Sequence, residues 1–453
     1  MKKRVLILGA GFMQKPAITA AKKLGWYVAV ADGNPLAVCA SLADRFEPID
    51  LKDTGALIEY ASRIAAEGGL DGVFTAGTDF SRSVALVAEA LSLPSHSSKA
   101  ALNATDKIRM RRCFAEAGVP SPVFTEFDKD KLDALTAAVG GRRFVVLGEL
   151  LPNTSEELVP TGLDFPLVVK PVDSMGARGC RRVDTIAELI AAIKSALAFS
   201  RTGRVIVEQY LEGPEFSVDA LVCGGDLIVS GFADRHIFFP PCFIEMGHTM
   251  PSALPKEDML RVMDAFSKGV QALGLTWGAA KGDLKLTPNG PMIGEIAARL
   301  SGGYMSGWTY PASSGVDLTE EALRIAVGED PRIQLCPSSG TVGLTVRLRE
   351  NEAALHSAER AWISIPGKVR SVSGYERAKA VPFVRELFPR TAEGDSVVFP
   401  SNNVEKCGNI IACAPSREEA VTAAETAVRE IFLRLEPGNA ETDAFLEGGT
   451  FSS

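Results

Sequence analysis

Apolar and polar positions over the first hundred residues alternate between short apolar runs and longer amphipathic stretches. The apolar runs at Val5–Leu8, Tyr27–Ala31 and Val73–Thr75 predict strands. Amphipathic patterns that begin at about Pro16 and near Leu57–Ala66 predict the intervening helices. Strands that alternate with helices in this way form βαβ units, so we predict a parallel sheet at the amino terminus.

The pattern changes after Lys99, where a basic helix is predicted to end at the glycine and proline of Ala117–Pro120. The region that follows combines strands and a helix with two hairpins, whose turns are rich in glycine and proline. The predicted elements are a strand at Leu167–Lys170, a helix at Ile186–Ala198, a strand at Arg204–Glu208, a hairpin of Phe216–Val222 with Leu227–Gly231, and a hairpin of Leu284–Leu286 with Met292–Ile296.

The last part of the chain predicts a small α+β domain. Strands are predicted at Thr341–Leu348, Val397–Phe399 and Asn409–Cys413, followed by a helix that begins with a capping box at Ser416. The residues after Pro437 are predicted to form a tail.

The length of 453 residues exceeds the roughly 250–300 residues that one hydrophobic core supports. With 46% hydrophobic and 23% charged residues, the composition is that of a globular chain with enough apolar material for buried sheets. We predict α/β and α+β architecture in three domains, at residues 1–103, 104–330 and 331–453.

Charge, the length of the apolar runs and the cysteine pattern disfavour a nucleic-acid-binding, membrane-spanning or secreted protein. The net charge is −8 and the basic residues are scattered, which disfavours a nucleic-acid surface. No apolar stretch approaches the roughly 20 residues that cross a bilayer. The apolar run after Lys2–Arg4 breaks at Gly9, which favours a buried strand over a signal peptide. The eight cysteines form no CxxC pair, so we expect reduced thiols and a cytoplasmic protein. From the scattered charge and the short apolar runs we expect no nucleic-acid or membrane partner.

The turn Gly9–Gly11 follows a predicted strand and precedes a helix, as in dinucleotide-binding folds, and Asp32 ends the second strand. The full fingerprint needs a third glycine at position 14, where the chain has Gln14. A close strand-to-helix turn is therefore the preferred interpretation.

No GxxxxGK[ST] motif is present, so a triphosphate would need another cradle. Lys170 ends a buried strand, and the glycine-containing loop Asp173–Cys180 follows it. Backbone N–H groups of such a loop can approach phosphate oxygens while a strand-anchored ammonium supplies the countercharge. Taken alone, the same residues are also typical of an ordinary turn.

The segment Val205–Gly213 leads from a strand into a connector, followed by Glu215. Exposed backbone there could pair with an adenine edge, and a carboxylate could bind ribose hydroxyls. An ordinary connector is the alternative.

The hairpin around Pro288–Pro291 carries the sharpest chemical signal. Asp283 and Glu295 lie on its two strands and are predicted to face one another, and Arg299 follows four residues later. Paired carboxylates offer the hard oxygen ligands that magnesium requires between phosphates, whereas without a cation they would repel. Arg299 could stabilise a transferring phosphoryl group. A charged, exposed hairpin edge is the competing interpretation.

In this order and spacing, the motifs resemble those of ATP-grasp enzymes over nearly the whole chain. The resemblance implies a preATP-grasp domain, an ATP-grasp domain whose two subdomains sandwich ATP, and a C-terminal lid domain. It assigns ATP contacts to Lys107, Lys170, Ser174, Met175, Gly176, Gly179, Glu208, Gln209, Leu211 and Glu215, and it assigns Mg²⁺, or Mn²⁺ in its place, to Asp283 and Glu295.

Two positions depart from the family pattern. Asp283 stands where many relatives have a glutamate, and Ala297 stands where relatives commonly place an asparagine that helps to hold a second metal ion. Whether one or two ions bind is left open.

The closest resemblance is to the L-amino acid ligase and carbamoyl-phosphate-synthase-like branch. Glu245 and His248 fall in a segment similar to its ExGH element, where the glutamate faces an amino group or a metal and the histidine lies near the reacting centre. The resemblance implies substrate or catalytic roles for Arg235, Glu245, His248, Arg299, Gly302 and Gly303.

The function that the resemblance implies is ATP-dependent carboxylate–amine ligation through an acyl phosphate. Small carboxylates and amines, amino acids among them, would be the substrates, and a homodimer is the commonest assembly. Two alternatives stay open. One is carboxyphosphate chemistry, as in carboxylases or carbamoyl-phosphate synthase. The other is a degenerate ATP-binding regulator, suggested by Ala297.

Overall fold

The computed structural model describes residues 2–140, 163–333, 339–340, 345–348 and 355–448. The chain divides into two compact units, each assembled from three segments. Unit 1 comprises residues 1–121, 211–234 and 250–354, and unit 2 comprises residues 122–210, 235–249 and 355–453. The three-domain division stays a prediction.

The strands, in chain order, are β1 Arg4–Leu8, β2 Tyr27–Asp32, β3 Arg45–Pro48, β4 Gly72–Phe74, β5 Phe124–Phe127, β6 Leu167–Pro171, β7 Arg181–Val183, β8 Val205–Gln209, β9 Glu215–Cys223, β10 Asp226–Phe238, β11 Ile244–Met250, β12 Gly278–Thr287, β13 Gly290–Ala297, β14 Ser339–Gly340, β15 Thr345–Leu348, β16 His356–Trp362, β17 Gly367–Ser373, β18 Val384–Pro389, β19 Ser396–Val397, β20 Gly408–Ala414 and β21 Phe432–Leu435.

The α-helices, in chain order, are α1 Lys15–Lys23, α2 Thr54–Gly68, α3 Ser81–Ala90, α4 Ser98–Asn103, α5 Lys107–Glu116, α6 Lys129–Gly140, α7 Ile186–Phe199, α8 Lys256–Leu273, α9 Tyr310–Ser314, α10 Leu318–Ala326, α11 Tyr375–Ala380, α12 Arg417–Arg429 and α13 Ala440–Leu446. Within these described ranges, no helix is both long enough and apolar enough to cross a membrane.

The amino-terminal sheet of unit 1 is parallel, with the strand order β3-β2-β1-β4, as predicted. After β1 the chain turns through Gly9 at a φ of +103°. The buried side chain of Gln14 accepts a hydrogen bond from the Gly11 N–H and donates one to the Ala76 carbonyl. A Cβ atom at Gly9 would lie 2.9 Å from the Gln14 side chain. Gln14 thus fills this strand-to-helix turn, as the preferred interpretation requires.

A second sheet of unit 1 contains the two predicted hairpins, with β13, β12, β9 and β10 in that order. Helix α8 packs on β12 and β13, and Phe266 is fully buried beneath them. A Cβ atom at Gly269 would lie 2.5 Å from the end of the Ile293 side chain, so a larger residue there would displace that side chain. The β12–β13 hairpin therefore packs closely on α8.

Unit 2 contains three sets of neighbouring strands. The sheet β5-β8-β6-β7 packs against α6 and α7 around buried aliphatic side chains. The strands β11, β16, β20 and β18 neighbour one another in that order, and α12 packs on β16 and β20. A small sheet of β19-β17-β21 lies in the carboxyl-terminal segment.

Several sequence predictions need correction. The predicted tail contains α13, because Asn439 caps a helix by accepting from the N–H groups of Glu441 and Thr442. The basic helix after Lys99 is two helices, since Asp106 caps α5 and interrupts it. Strand β16 was not predicted. Residues 341–344 and Cys336 lie outside the described residues, whereas the capping box at Ser416 is confirmed.

His96 links the end of the amino-terminal region to the start of β12. Its Nδ1 faces the N–H groups of Thr276 and Trp277 at 3.2 and 3.1 Å, and its Nε2 lies 3.0 Å from the Ala279 carbonyl. Nδ1 must therefore accept and Nε2 must donate, which fixes the neutral form. Burial lowers the pKa of His96 from 6.5 to about 4, although the Ala279 carbonyl acts in the opposite direction.

We expect this histidine to make unit 1 sensitive to acid. Because the unfolded chain binds the proton at higher pH than the folded chain, the stability contributed by neutral His96 is present above pH 6.5 and is lost as the pH falls towards about 4. The loss is on the order of 3 kcal/mol. Melting temperatures measured across this interval should fall less steeply for His96→Gln than for the wild type. His356→Gln is the control and should keep the wild-type slope.

Candidate active site

The β12–β13 hairpin of unit 1 brings the two predicted metal carboxylates together. Asp283 and Glu295 are direct cross-strand partners, and the register shifts immediately after Asp283. Cross-strand partners project on the same face, so both carboxylates lie on one side of the sheet. Two negative charges in this position require cations nearby.

Lysine ammonium groups of unit 1 provide those cations. Lys281 contacts the Asp283 carboxylate, whose other oxygen accepts a hydrogen bond from the Ser217 hydroxyl at 2.9 Å. Lys107, at the start of α5, reaches to 3.7 Å from Glu295 Oε1. Asp106 orients this start by accepting from two N–H groups of the first turn. The predicted first lysine therefore lies beside the predicted metal ligands.

The segment after β13 is held by a second buried carboxylate. Asp219 accepts hydrogen bonds from both the N–H and the hydroxyl of Ser301. Burial raises the pKa of Asp219 above its usual range, opposed by those hydrogen bonds and by the charges of Lys281 and Arg299. Arg299 itself donates to the Leu300 carbonyl at 3.0 Å. Asp219 thus anchors the turn that begins at Ser301.

Two glycines of that turn stand where a larger residue would have a strained backbone angle or lie too close to a neighbouring segment. Gly303 has a φ of +61°, and the following Tyr304 also has a positive φ of +68°. A Cβ atom at Gly302 would come within 3.3 Å of the Gly77 backbone. Both glycines therefore allow the chain to turn tightly beside Arg299.

In unit 2, the second predicted lysine is paired with a predicted adenine-contact residue. Lys170 on β6 lies 2.7 Å from Glu208 Oε2 on the neighbouring strand β8. The Glu208 side chain is 2% exposed, and the Lys170 side chain is 23% exposed. The lysine side chain is therefore partly exposed, while the side chain of the glutamate that pairs with it is buried.

The predicted phosphate loop of unit 2 is anchored at both ends. Asp173 accepts hydrogen bonds from the Ser200 hydroxyl and from the N–H groups of Arg201 and Thr202. At the other end, the Gly176 carbonyl accepts the Asn403 N–H at 2.9 Å.

Local contacts and backbone angles also define the loop between these two ends. The Ser174 hydroxyl donates to the Phe199 carbonyl, and the Met175 carbonyl accepts from Arg178 Nε. Gly176 and Gly179 both adopt positive φ angles of +69°. The loop conformation therefore requires the glycines that the sequence supplies.

The connector after β8 already uses part of its backbone. The Gln209 N–H donates to the Val123 carbonyl at 2.9 Å within unit 2. In unit 1, Lys285 donates to the Leu211 carbonyl at 3.0 Å and lies 3.5 Å from Glu215 Oε2. A bound adenine or ribose would have to replace these contacts or bind to polar groups beside them.

A buried polar cluster in unit 2 contains the remaining predicted residues. Arg235 Nε donates to Glu245 Oε2 at 2.7 Å, and His248 Nε2 lies 3.8 Å from the same oxygen. The backbone of Glu245 is held as well, because its N–H donates to Asn403 Oδ1 and its carbonyl accepts from Lys406 Nζ. The cluster therefore brings together the side chains of Arg235, Glu245 and His248.

The other ring nitrogen of His248 contacts Glu359, which the sequence did not single out. Nδ1 lies 3.0 Å from Glu359 Oε2, and Glu359 is fully buried on β16. Burial lowers the pKa of His248, but the Glu245 carboxylate and the hydrogen bond to Glu359 outweigh it, so the pKa lies above its usual value.

Close packing of two strands explains why the ExGH-like segment has a glycine, Gly247, between Glu245 and His248. The φ of Gly247 is +140°, and a Cβ atom there would lie 1.9 Å from the Glu359 carbonyl oxygen. Only glycine lets β11 approach β16 this closely, and the approach places His248 against Glu359.

The paired carboxylates fit a magnesium ion in chemistry and in number. Among the described residues, no group of three or more His, Cys, Asp or Glu side chains could hold a metal by itself. Magnesium commonly uses one or two carboxylates and takes its remaining ligands from water and substrate phosphates. Asp283 and Glu295 supply such a pair on one face of the sheet.

Three protein families match separate parts of the chain. Residues 18–95 match the ATP-grasp N-terminal domain, and residues 163–307 match the ATP-grasp domain. Residues 361–436 match the L-amino acid ligase C-terminal domain 2.

Individual relatives are similar along much of the chain. The uncharacterized protein y4rH of Sinorhizobium fredii is 25% identical over 93% of this chain and 80% of its own length. Carnosine synthase 1 of Gallus gallus is 26% identical over 74% of this chain, but the match spans only 36% of that protein. The crystal structure of L-amino acid ligase from Bacillus licheniformis is 22% identical, with a TM-score of 0.74 over 96% of this chain and 99% of that chain.

The chain therefore contains the N-terminal and central domains of ATP-grasp proteins and has the fold of that superfamily. Within it, the carboxyl-terminal match and the relatives group the chain with the ATP-dependent carboxylate–amine ligases, so the predicted class of enzyme is confirmed.

We expect Lys170→Ala to weaken ATP binding, because it removes an accessible ammonium held at the end of β6. Isothermal titration with ATP should give a lower affinity, by roughly tenfold or more if the lost contact is a charge-assisted hydrogen bond. Lys194→Ala, an exposed lysine on α7, is the matched control. Unchanged affinity in Lys170→Ala would count against the phosphate role, provided that the variant melts as one folded protein.

Proposed function

We propose that this enzyme activates the carboxylate of a small molecule, an amino acid among the candidates, and joins it to an amine. ATP phosphorylates the carboxylate to an acyl phosphate and leaves as ADP. The amine nitrogen then attacks the acyl carbon, the bond to phosphate breaks, and an amide is formed. Support comes from the match to the L-amino acid ligase C-terminal domain and from the cluster of Arg235, Glu245 and His248 in unit 2.

Each predicted residue has a chemical task in this proposal. Lys107 and Lys170 bind phosphate oxygens, and Arg299 stabilises the charge of the transferring phosphoryl group. Gly302 and Gly303 expose backbone N–H groups that suit a substrate carboxylate. Gly176 and Gly179 do the same for ATP phosphates, beside Ser174 and Met175, while Glu208, Gln209, Leu211 and Glu215 serve the nucleoside.

One carboxylate and one histidine of this cluster are suited to bind the ammonium end of an amine substrate and to take up its proton. Glu245 is held by Arg235, so its charge is already partly compensated. His248 is the histidine whose Nε2 faces the Glu245 carboxylate, at 3.8 Å. We assign the amine to Glu245 and the acid–base role to His248.

Magnesium would be held by Asp283 and Glu295 and would neutralise the phosphate charges as they transfer. Ala297, where relatives carry an asparagine, has Lys281 as its cross-strand partner, and Lys281 contacts Asp283. We therefore favour one metal ion, with the Lys281 ammonium as the second positive charge. A homodimer and a cytoplasmic location stay predictions.

The defining experiment measures ADP release with paired amino acids and small carboxylates, and identifies products by mass spectrometry. We expect ADP, phosphate and an amide in equal amounts for at least one pair. ATP binding without ADP release in any mixture would instead favour a regulatory ATP-binding protein. A carbamoyl or carboxylated product that requires bicarbonate would favour carboxyphosphate chemistry.

The metal assignment predicts that Glu295→Gln and Asp283→Asn abolish ADP release, with losses of about 10³-fold or more in kcat, since each removes a charged ligand from the phosphates. Glu295 is the cleaner position, because its side chain is 39% exposed and its removal leaves the core intact. Glu257→Gln, at the exposed start of α8, should stay fully active. Full activity in both hairpin variants would refute the assignment.

A further inference from the structure

Glu359 is a buried carboxylate for which the proposed reaction has not yet provided a role. Its side chain is fully buried on β16, where its Oε1 accepts a hydrogen bond from Asn409 Nδ2 at 2.6 Å. Its Oε2 faces His248 Nδ1 at 3.0 Å. A buried carboxylate is costly unless donors or cations compensate it, so these two contacts account for its presence.

The contact with Glu359 fixes the chemistry of the His248 ring. An ionised carboxylate can only accept hydrogen bonds, so Nδ1 must carry the hydrogen. The second nitrogen, Nε2, is then the one that takes up or releases a proton, and it is directed towards Glu245. The same arrangement, in which a carboxylate holds one histidine nitrogen so that the other acts as a base, recurs in hydrolytic triads.

The main chain makes this orientation rigid. The Glu359 carbonyl lies so close to Gly247 that no Cβ atom could be inserted. Arg360, the next residue on β16, donates to the His248 carbonyl at 3.2 Å and to the Thr249 hydroxyl. Side-chain and backbone contacts from β16 therefore act on the same histidine.

We propose that Glu359 is the positioning residue of the amine-activation step and acts through His248. The inference rests on the proposed ligase function. In this step, the amine nitrogen forms a bond to the acyl carbon of the acyl phosphate, and the carbon–oxygen bond to phosphate breaks with its electron pair leaving on phosphate. The proton lost by the amine nitrogen moves to His248 Nε2, while Glu359 keeps the hydrogen on Nδ1 and stabilises the imidazolium.

The groups around the ring are consistent with this division of tasks. Glu245 and Glu359 are the carboxylates that face the two nitrogens, and Arg235 pairs with Glu245. Arg360 and Lys406 direct their charges at main-chain carbonyls of the same strand. Glu359 also lies two positions before the segment that matches the L-amino acid ligase C-terminal domain 2.

The test uses Glu359→Gln in the full-length enzyme. Glutamine keeps the shape of the side chain, but its amide can donate to Nδ1 and so permits the wrong tautomer. Two nucleophiles are compared. An amino acid amine is mostly protonated at neutral pH and needs a base, whereas hydroxylamine is mostly unprotonated and attacks acyl phosphates without one.

We expect amide formation to fall by about 100-fold, near the lower end of general acid–base contributions, while hydroxamate formation stays within about threefold of the wild type. His248→Gln should give the same selective loss. The double variant should be no slower than His248→Gln alone, because Glu359 acts only through the histidine. Glu386→Gln, an exposed glutamate on β18, is the control and should change neither rate.

Other outcomes overturn the inference. Equal losses with both nucleophiles would mean that Glu359 supports the fold or the first half-reaction. Unchanged amide formation, or additive losses in the double variant, would mean that it does not act through His248. A wild type that forms neither amide nor hydroxamate with any carboxylate would refute the proposed ligase function. If the wild type is active and Glu359→Gln is equally active, only the role of Glu359 is refuted. If Glu359→Gln does not fold, Glu359→Asp takes its place, because it keeps the charge but withdraws the carboxylate from Nδ1 by one methylene. It should show the same selective loss, and unchanged amide formation would overturn the inference.

Discussion

Compensation of carboxylate charge is the constraint on which both units depend. Asp283 and Glu295 stand opposite one another on a hairpin and are stable there because lysines reach them. In unit 2 the same problem is solved for Glu208 by Lys170. Each pairing places a cation and an anion on strands or, for Lys107, at the start of helix α5 instead of on loops. Because regular elements hold both partners, few side chains remain to be ordered when a ligand binds.

Glu359 and His248 solve the same problem in a different way. In this contact the histidine ring donates to one oxygen of Glu359, and Asn409 donates to the other. The two carboxylates that face the ring raise the pKa of His248, so its protonation is coupled to both of them. Structural need and acid–base chemistry then coincide in one residue.

Local signals in the sequence were sufficient for the amino-terminal sheet and for the Asp283–Glu295 hairpin. In the hairpin, Pro288–Pro291 marks the turn, and the alternation on either side determines which residues face one another. The helix that begins after Ser416 was equally readable, because a capping box is local. In each case the signal is carried by neighbouring residues of the sequence, although the strands of the amino-terminal sheet pair over longer separations.

The interactions that could not be predicted are long-range. His248 and Glu359 are separated by 111 positions, and no local pattern links β11 to β16. Helix α13 was missed for a local reason instead, because the glycines around it suggested a tail whereas Asn439 caps a helix. The catalytic roles of the site residues stay predictions because a motif specifies residue types and not the distant partners that tune them.

The glycine at position 247 has a further consequence for redesign of the enzyme. Substrate preference in such a site would usually be changed by randomising the strand that carries Glu245 and His248. At position 247 even a methyl group would collide with the backbone of the opposite strand, so almost all diversity introduced there would be discarded as misfolded chains. A library that keeps this glycine and varies Met246 and residues of other strands would retain far more functional members.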